Sequence, residues 1–342
     1  MSRPSVTGTG PWPGTDVLEA QSVVVGDLLD TPSGEVDGLP FTVTLPARGP
    51  WSDQVGRASA LLADLPTELG AHGWKLAAHP GGDLGRAQAF VREDVDALAV
   101  AAHGYVGPLV VPVLGPLTLA ASLYLARGDR VISDAGAVRE LAASLTDGLA
   151  AHLGALSRAV PGIVPSVLLH EPLLAQVMAG VLPSFSGYSA LRSVPGPVAA
   201  GHLTSVATGL RAAGAASVVV HGGAAWSSLG AIRASGADGF ALAVTALDDR
   251  SWERVAEVVE GGLAFWPELP PQASSQCAGP DVAGQADLLL RPWRSVGLPA
   301  AALRDVVLLA GDATGVGSPD DARAVLAGLV RAARLVAERA ES

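Results

Sequence analysis

Short, nearly continuous apolar runs alternate along this chain with longer segments whose apolar residues recur at helical spacing. Runs rich in Val, Leu and Ala without polar alternation suit strands buried on both faces, as in a parallel sheet covered by helices. Eight runs qualify: residues 5–10, 74–78, 109–113, 166–170, 217–221, 239–244, 263–266 and 305–310. Eight strand–helix units predict an α/β fold closed as a (β/α)8 barrel, with an open doubly wound sheet as the alternative.

The helix signals between these runs are local. Thr15 or Asp16 can cap a helix reaching about Leu29, with Glu19 in its first turn, and Asp134 can start one that reaches about Leu156. Residues 197–213 read as another helix, stopped by Gly214. Before the last helix, Ser318 offers a capping hydroxyl, Pro319 suits the first turn, and Asp320 and Asp321 place carboxylates at the positive helix end. Val325, Leu326, Leu329, Ala333 and Val336 mark its buried face, and Arg323, Arg331 and Arg334 its wet one. Stretches at about 31–50 and 267–280 read as loops. The expected organisation is a single barrel domain over residues 1–342, with both loops over the C-terminal face where barrels keep their active sites.

Composition narrows the partners. Hydrophobic residues make up 49% of the chain, enough for one large core. No run of about 18 apolar residues is uninterrupted, so no membrane span is expected. The first residues carry Pro and Gly where a secretory leader needs a basic end and an apolar run, and the expected location is cytoplasmic. A formal charge of −11 argues against nucleic acid or an anionic membrane as the main partner. The single cysteine, Cys277, excludes an internal disulfide and any multi-thiolate metal site, and reads as an incidental thiol in a loop.

Chemistry should gather where the strands end. Those positions are Trp12, His79, Pro116, His170, Glu171, His221, Trp226, Glu268 and Asp312. Imidazoles among carboxylates can ligate a metal or move protons, although strand ends are often polar for structural reasons alone. Glu171, set between His170 and Pro172, can hold a substrate ammonium group or act as a base; its structural alternative is to cap the following helix or pair with an arginine. His221-Gly222-Gly223 lets backbone approach a ligand, or is simply a tight turn. The Gly-rich run 311–318 enters a helix and could meet an anion through its N–H groups, but it lacks a P-loop lysine. Neither a dinucleotide fingerprint after a strand nor a Gly-x-Ser-x-Gly elbow is present.

Several segments, in their order and spacing, carry a resemblance: Thr7-Gly8-Thr9-Gly10-Pro11-Trp12-Pro13-Gly14-Thr15, Leu45-Pro46-Ala47-Arg48-Gly49-Pro50, Gly115-Pro116-Leu117-Thr118, Glu171-Pro172, Pro183-Ser184-Phe185-Ser186-Gly187-Tyr188, the His221 turn and Asp281-Val282-Ala283-Gly284. Over nearly the whole chain they resemble the catalytic barrel of cobalamin-independent methionine synthase, most of all its short, single-barrel actinobacterial relatives. The resemblance implies a (β/α)8 barrel of the methionine synthase and uroporphyrinogen decarboxylase kind. It also implies methyl transfer to the homocysteine thiol, with zinc making the thiolate. Of the family's zinc ligands His221 is retained, whereas Gly223 stands for the first Cys, Ala243 for the acid and Asp312 for the last Cys. Such a site needs at least three protein ligands, so no zinc is expected unless it has been rebuilt from His170, His221 and Asp312. Restoring Cys at 223 and 312, with an acid at 243, is expected to recover it. The family's homocysteine-binding Ile-Gly-Ser is Thr9-Gly10-Pro11, and His170 replaces an Asp beside the retained Glu171.

Four readings compete. The first is a methionine-synthase-like barrel that has lost zinc chemistry and binds a small molecule through Thr9, Gly10, Trp12, Arg48, Glu171 and Trp226. The second is a repurposed enzyme using Glu171, His170, His221 and Asp312. A methyltransferase still active on homocysteine or a related thiol is the third, and an interaction protein without a ligand the fourth.

Overall fold

The apolar runs pair edge to edge into one parallel sheet. The computed structural model describes residues 3–31, 34–271, 281–312, 315 and 317–341. Its strands are β1 (Ser5–Gly8), β2 (Asp37–Gly38), β3 (Thr67–Gly70), β4 (Gly73–Leu76), β5 (Gly107–Leu114), β6 (Ile163–His170), β7 (Ser217–His221), β8 (Gly239–Ala243), β9 (Ala264–Leu269) and β10 (Val307–Ala310). The sheet order is β2-β1-β10-β9-β8-β7-β6-β5, parallel throughout. The chain beyond β2 closes the ring. Leu39 N–H bonds the Val6 carbonyl at 2.8 Å, Val110 N–H bonds Pro40 at 2.8 Å, and Thr44 N–H bonds Gly10 at 2.9 Å. Parallel bridges Phe41–Val110 and Pro11–Thr44 lie on its two sides. Residues 37–44 thus lie between β1 and β5 and complete a (β/α)8 barrel.

This placement corrects the expected second strand. Residues 74–78 do not enter the barrel. β3 and β4 form an antiparallel hairpin outside it, and His79, just beyond, is exposed rather than at the mouth. The true second strand falls inside the stretch read as a loop. Pro40 has no N–H for a ladder and Thr42 and Thr44 interrupt the apolar run, which hides a strand whose residues 41–45 are all buried.

The helices follow the local signals. They are α1 (Val17–Leu29), α2 (Gln54–Ala60), α3 (Gly82–Ala101), α4 (Pro116–Ser122), α5 (Ala135–Ala159), α6 (Leu174–Ala179), α7 (Gly196–Ala212), α8 (Leu229–Ala234), α9 (Asp249–Glu260), α10 (Val282–Ser295) and α11 (Pro319–Glu341). Asp16 caps α1 through Glu19 N–H at 3.0 Å, and Asp134 caps α5 through Gly136 and Ala137 at 2.7 and 2.9 Å. Ser318 accepts the Asp321 N–H at 3.2 Å at the head of α11, whose Val325, Leu326, Leu329, Ala333 and Val336 are all buried. Among the described residues no helix is long and apolar enough to cross a membrane. Cys277 and most of 267–280 lie outside the described residues.

Candidate ligand site at the barrel mouth

Register brings two imidazoles together. β6 and β7 pair His170 directly with His221, and their ring centroids are 5.3 Å apart. The hydrogen bonds assign the ring protons. Gly223 N–H points at His221 Nδ1 from 3.1 Å, so that nitrogen accepts; Nε2 carries the proton and donates it to Glu268 Oε2 at 2.8 Å. His170 donates through Nε2 to the Thr9 carbonyl at 2.9 Å. Glu268, on β9, belongs to this cluster. Its place at a strand end was visible in the sequence, but its pairing with His221, 47 residues away, was not.

Glu171 turns away from the mouth. It is fully buried, and its two oxygens accept the N–H groups of Leu117 at 2.9 Å and Thr118 at 2.6 Å. It therefore caps α4, an earlier helix rather than the following one. Burial pushes its carboxyl up to about 7, against the hydrogen bonds of Thr118 and Leu117.

The other expected residues scatter. Thr9 is buried, and its hydroxyl bonds the Ala310 carbonyl at 3.2 Å. Gly10 has φ +106° and bonds the second strand through its carbonyl. Trp12 is buried near Phe41, its Nε1 without a hydrogen-bond partner among the described residues. Trp226 is half-buried beneath the Arg250 guanidinium, 5.8 Å from its ring. Arg48 is tied to α3 instead, bonding Glu93 at 3.0 Å and Asp94 at 3.1 Å over the Phe90 ring. Asp312 is exposed just past β10. Among the described residues no group of three or more His, Cys, Asp or Glu side chains is placed to hold a metal ion.

A narrow cleft open to solvent lies beside His170, with room at its floor for little more than a water molecule. Thr9, Thr44 and His170 line its barrel side, and α2 contributes Gln54 and Arg57. Leu61, Pro112 and Leu114 make it partly apolar. Thr44, Gln54 and Arg57 were not singled out from the sequence. A charged residue on a short helix reads as solvated, yet Arg57 is only 6% exposed and pairs with the buried Asp94. Burial, then the neighbouring Arg48 charge, lowers its pKa to about 10, so it remains a cation at neutral pH.

Two buried imidazoles couple this region to pH. Burial and then the Arg57 charge bring His152, on α5, down to about 3. Burial and then His221 bring His170 to about 3 as well, against the Thr9 carbonyl. Below pH ~6.5 the unfolded chain takes up protons on both rings while the folded chain does not until about 3. Their contribution is therefore complete above ~6.5 and is lost on acidification at about 1.4 kcal/mol per pH unit per ring. Glu171, raised instead, runs the other way between about 7 and 4.5 and partly offsets the decline. His152→Leu is expected to flatten the decline by one ring's share, about 1.4 kcal/mol per unit. Urea unfolding at successive pH values checks this, and an unchanged slope contradicts it.

With this geometry in place, comparisons with known proteins bear on the fold. No protein-family model matches the chain, and no curated protein matches it. Among solved structures, a GH18 chitinase from Pseudoalteromonas aurantia is similar at a TM-score of 0.41 and 10% identity, over 94% of this chain and 100% of the other. A B12-independent methionine synthase from Shewanella sp. W3-18-1, in complex with selenomethionine, is similar at a TM-score of 0.57 and 13% identity, over 99% of this chain and 98% of the other. From end to end, the chain has the α/β barrel fold of that methionine synthase.

Proposed function

We propose that this barrel has lost zinc-dependent thiol methyl transfer and serves as a small-molecule-binding protein, its ligand held at the barrel mouth. One observation carries the reading: the His221 ring is already committed on both nitrogens. For Nε2 to ligate a cation its proton would have to move to Nδ1, where the Gly223 N–H already points. The ring would otherwise need to become an imidazolate and part from Glu268. Gly223 supports the reading further. Its φ is +71°, a left-handed conformation unfavourable to a side chain by roughly 1–2 kcal/mol. A Cβ there would lie 3.0 Å from Pro172 Cα and 3.2 Å from the Pro172 carbonyl oxygen. The missing cysteine thus goes with a backbone that suits glycine, and Ala243 offers no donor atom. The expectation that restored ligands would recover zinc is revised accordingly.

The test is elemental analysis of untagged protein, alongside the variant Gly223→Cys/Ala243→Glu/Asp312→Cys. Neither is expected to hold stoichiometric zinc, and the variant is expected to be less stable by about 1–3 kcal/mol. Stoichiometric zinc in the wild type, lost on His221→Ala, overturns the proposal. A second reading has one specific support: the His221–Glu268 pair beside His170 resembles an oriented acid/base. Ligands recovered chemically unchanged after incubation favour binding alone. Turnover that disappears in Glu268→Gln favours the repurposed enzyme.

A further inference from the structure

The hairpin that follows α6 carries its aromatic side chains outside the core. At its base Leu191 N–H bonds the Leu182 carbonyl at 2.7 Å, and Pro183 and Ala190 form a bridge above them. Its tip is tied from within. Ser184 N–H bonds the Ser189 carbonyl at 2.8 Å, Gly187 N–H bonds the Ser184 carbonyl at 2.9 Å, and Ser189 Oγ bonds Ser184 Oγ at 3.0 Å. Asp129 accepts the Phe185 N–H at 2.9 Å and so holds the tip to the loop after α4. On this ribbon Tyr188 is 98% exposed and Phe185 54% exposed, with Val181 exposed at the base. Residues 181–191 carry no charge, in a chain whose formal charge is −11. An uncharged, pre-organised surface that presents aromatic rings to water has the character of a protein–protein contact, where tyrosine is enriched.

Beside the tip lies a recess of about 290 Å³, open to solvent. Phe185 is one of its walls and meets two others edge-on, His72 at 5.0 Å and Tyr124 at 5.9 Å between ring centroids. Gly70 and Gly73 at the turn between β3 and β4, with Ala126 and Gly128, leave the space between the rings unfilled. An apolar cavity of about 150 Å³ takes a benzene ring, so this recess has room for a phenol. We propose that it receives Tyr188 from a second copy of this chain. Tyr188 stands three residues from Phe185 yet is almost wholly exposed, so it does not fill its own recess. A projecting ring and a ring-sized recess side by side on one surface are self-complementary: a two-fold axis seats each Tyr188 in the other copy's recess. Charge does not oppose the contact. At the rim Lys75 pairs with Glu68 at 2.8 Å, Asp129 accepts the N–H groups of Phe185 and Arg130, and the incoming ribbon is neutral. This face shares no residue with the His170–His221 cluster, so the inference stands apart from the reading of the barrel mouth.

Sedimentation velocity of the full chain over a range of concentrations tests it. The wild type is expected to pass from monomer to dimer between about 1 and 100 μM. Tyr188→Ser removes the projecting ring and is expected to weaken association at least about 30-fold, the loss typical of an aromatic anchor. Ala126→Trp, at an exposed rim position, fills the recess and is expected to do the same. Both positions lie outside the core, so circular dichroism of the two variants is expected to match the wild type. A mixture of the variants keeps one intact insertion, Tyr188 of the Ala126→Trp chain in the recess of the Tyr188→Ser chain. It is therefore expected to associate more tightly than either variant alone. A wild type that stays monomeric over this range, or a dimer unchanged in either variant, overturns the proposal. A monomeric wild type whose Tyr124 and Phe185 resonances shift on addition of p-cresol also overturns it, and gives the recess to a small aromatic ligand instead.

Discussion

Glu171→Ala is expected to destabilise the protein by about 3 kcal/mol, and Glu171→Gln by about 1–2 kcal/mol. The reason is a complete account of the first N–H groups of α4. Pro116 has none. Leu117 and Thr118 give theirs to the two Glu171 oxygens, and Leu119 starts the helical ladder on the Gly115 carbonyl at 2.9 Å. Glu171 has no exposed surface, so water cannot replace it. Alanine leaves two buried donors unpaired and a cavity behind them. Glutamine keeps one acceptor and turns an NH2 group toward the other donor. Urea unfolding followed by circular dichroism measures both effects. A Glu171→Gln protein as stable as wild type, but deficient in ligand binding, would instead assign the carboxylate to a ligand's ammonium group.

Gly148→Ala is expected to cost about 3 kcal/mol or more. A Cβ at Gly148 on α5 would lie 1.5 Å from the Leu61 carbonyl oxygen, which follows α2 directly. Backbone cannot yield as a side chain does, so the helices must move apart. Two hydrogen bonds join the same segments: Ser144 Oγ to the Ala63 carbonyl at 2.6 Å, and Ala63 N–H to the Ser144 carbonyl at 3.2 Å. Because α2 carries Gln54, Arg57 and Ala58 into the cleft beside His170, displacing it disturbs that cleft as well as the core. Gly154→Ala on the same helix is the control. The nearest atom to its Cβ would be the mobile end of Arg158 at 3.3 Å, and it is expected to stabilise by about 0.5–1 kcal/mol. Thermal unfolding of the two variants side by side checks the contrast.

What the residues alone determined here is short in range. Asp16, Asp134 and Ser318 cap the helices they were expected to cap, because a cap joins a side chain to an N–H two or three residues away. Seven of the eight barrel strands stood out as apolar runs, because strands covered on both faces admit few polar residues. The eighth was hidden by Pro40 and its threonines, and the Trp74 hairpin took its place in the count, because single residues do not show which edge a strand will find.

The site divides along the same line. His170, His221, Glu171 and Glu268 were legible as strand ends, but their roles were not. Register set the two imidazoles side by side and gave His221 to Glu268, while α4, folded some fifty residues earlier, claimed Glu171. The sequence showed that residue 223 is not cysteine; only the folded chain shows a left-handed turn against Pro172 that suits glycine. Arg57 and Asp94 lie 37 residues apart, and nothing near either in the sequence singles it out. Tertiary packing made them a buried pair beside a cleft, because the burial and partners of a charge depend on contacts distant in sequence, whereas caps and apolar runs are set by near neighbours.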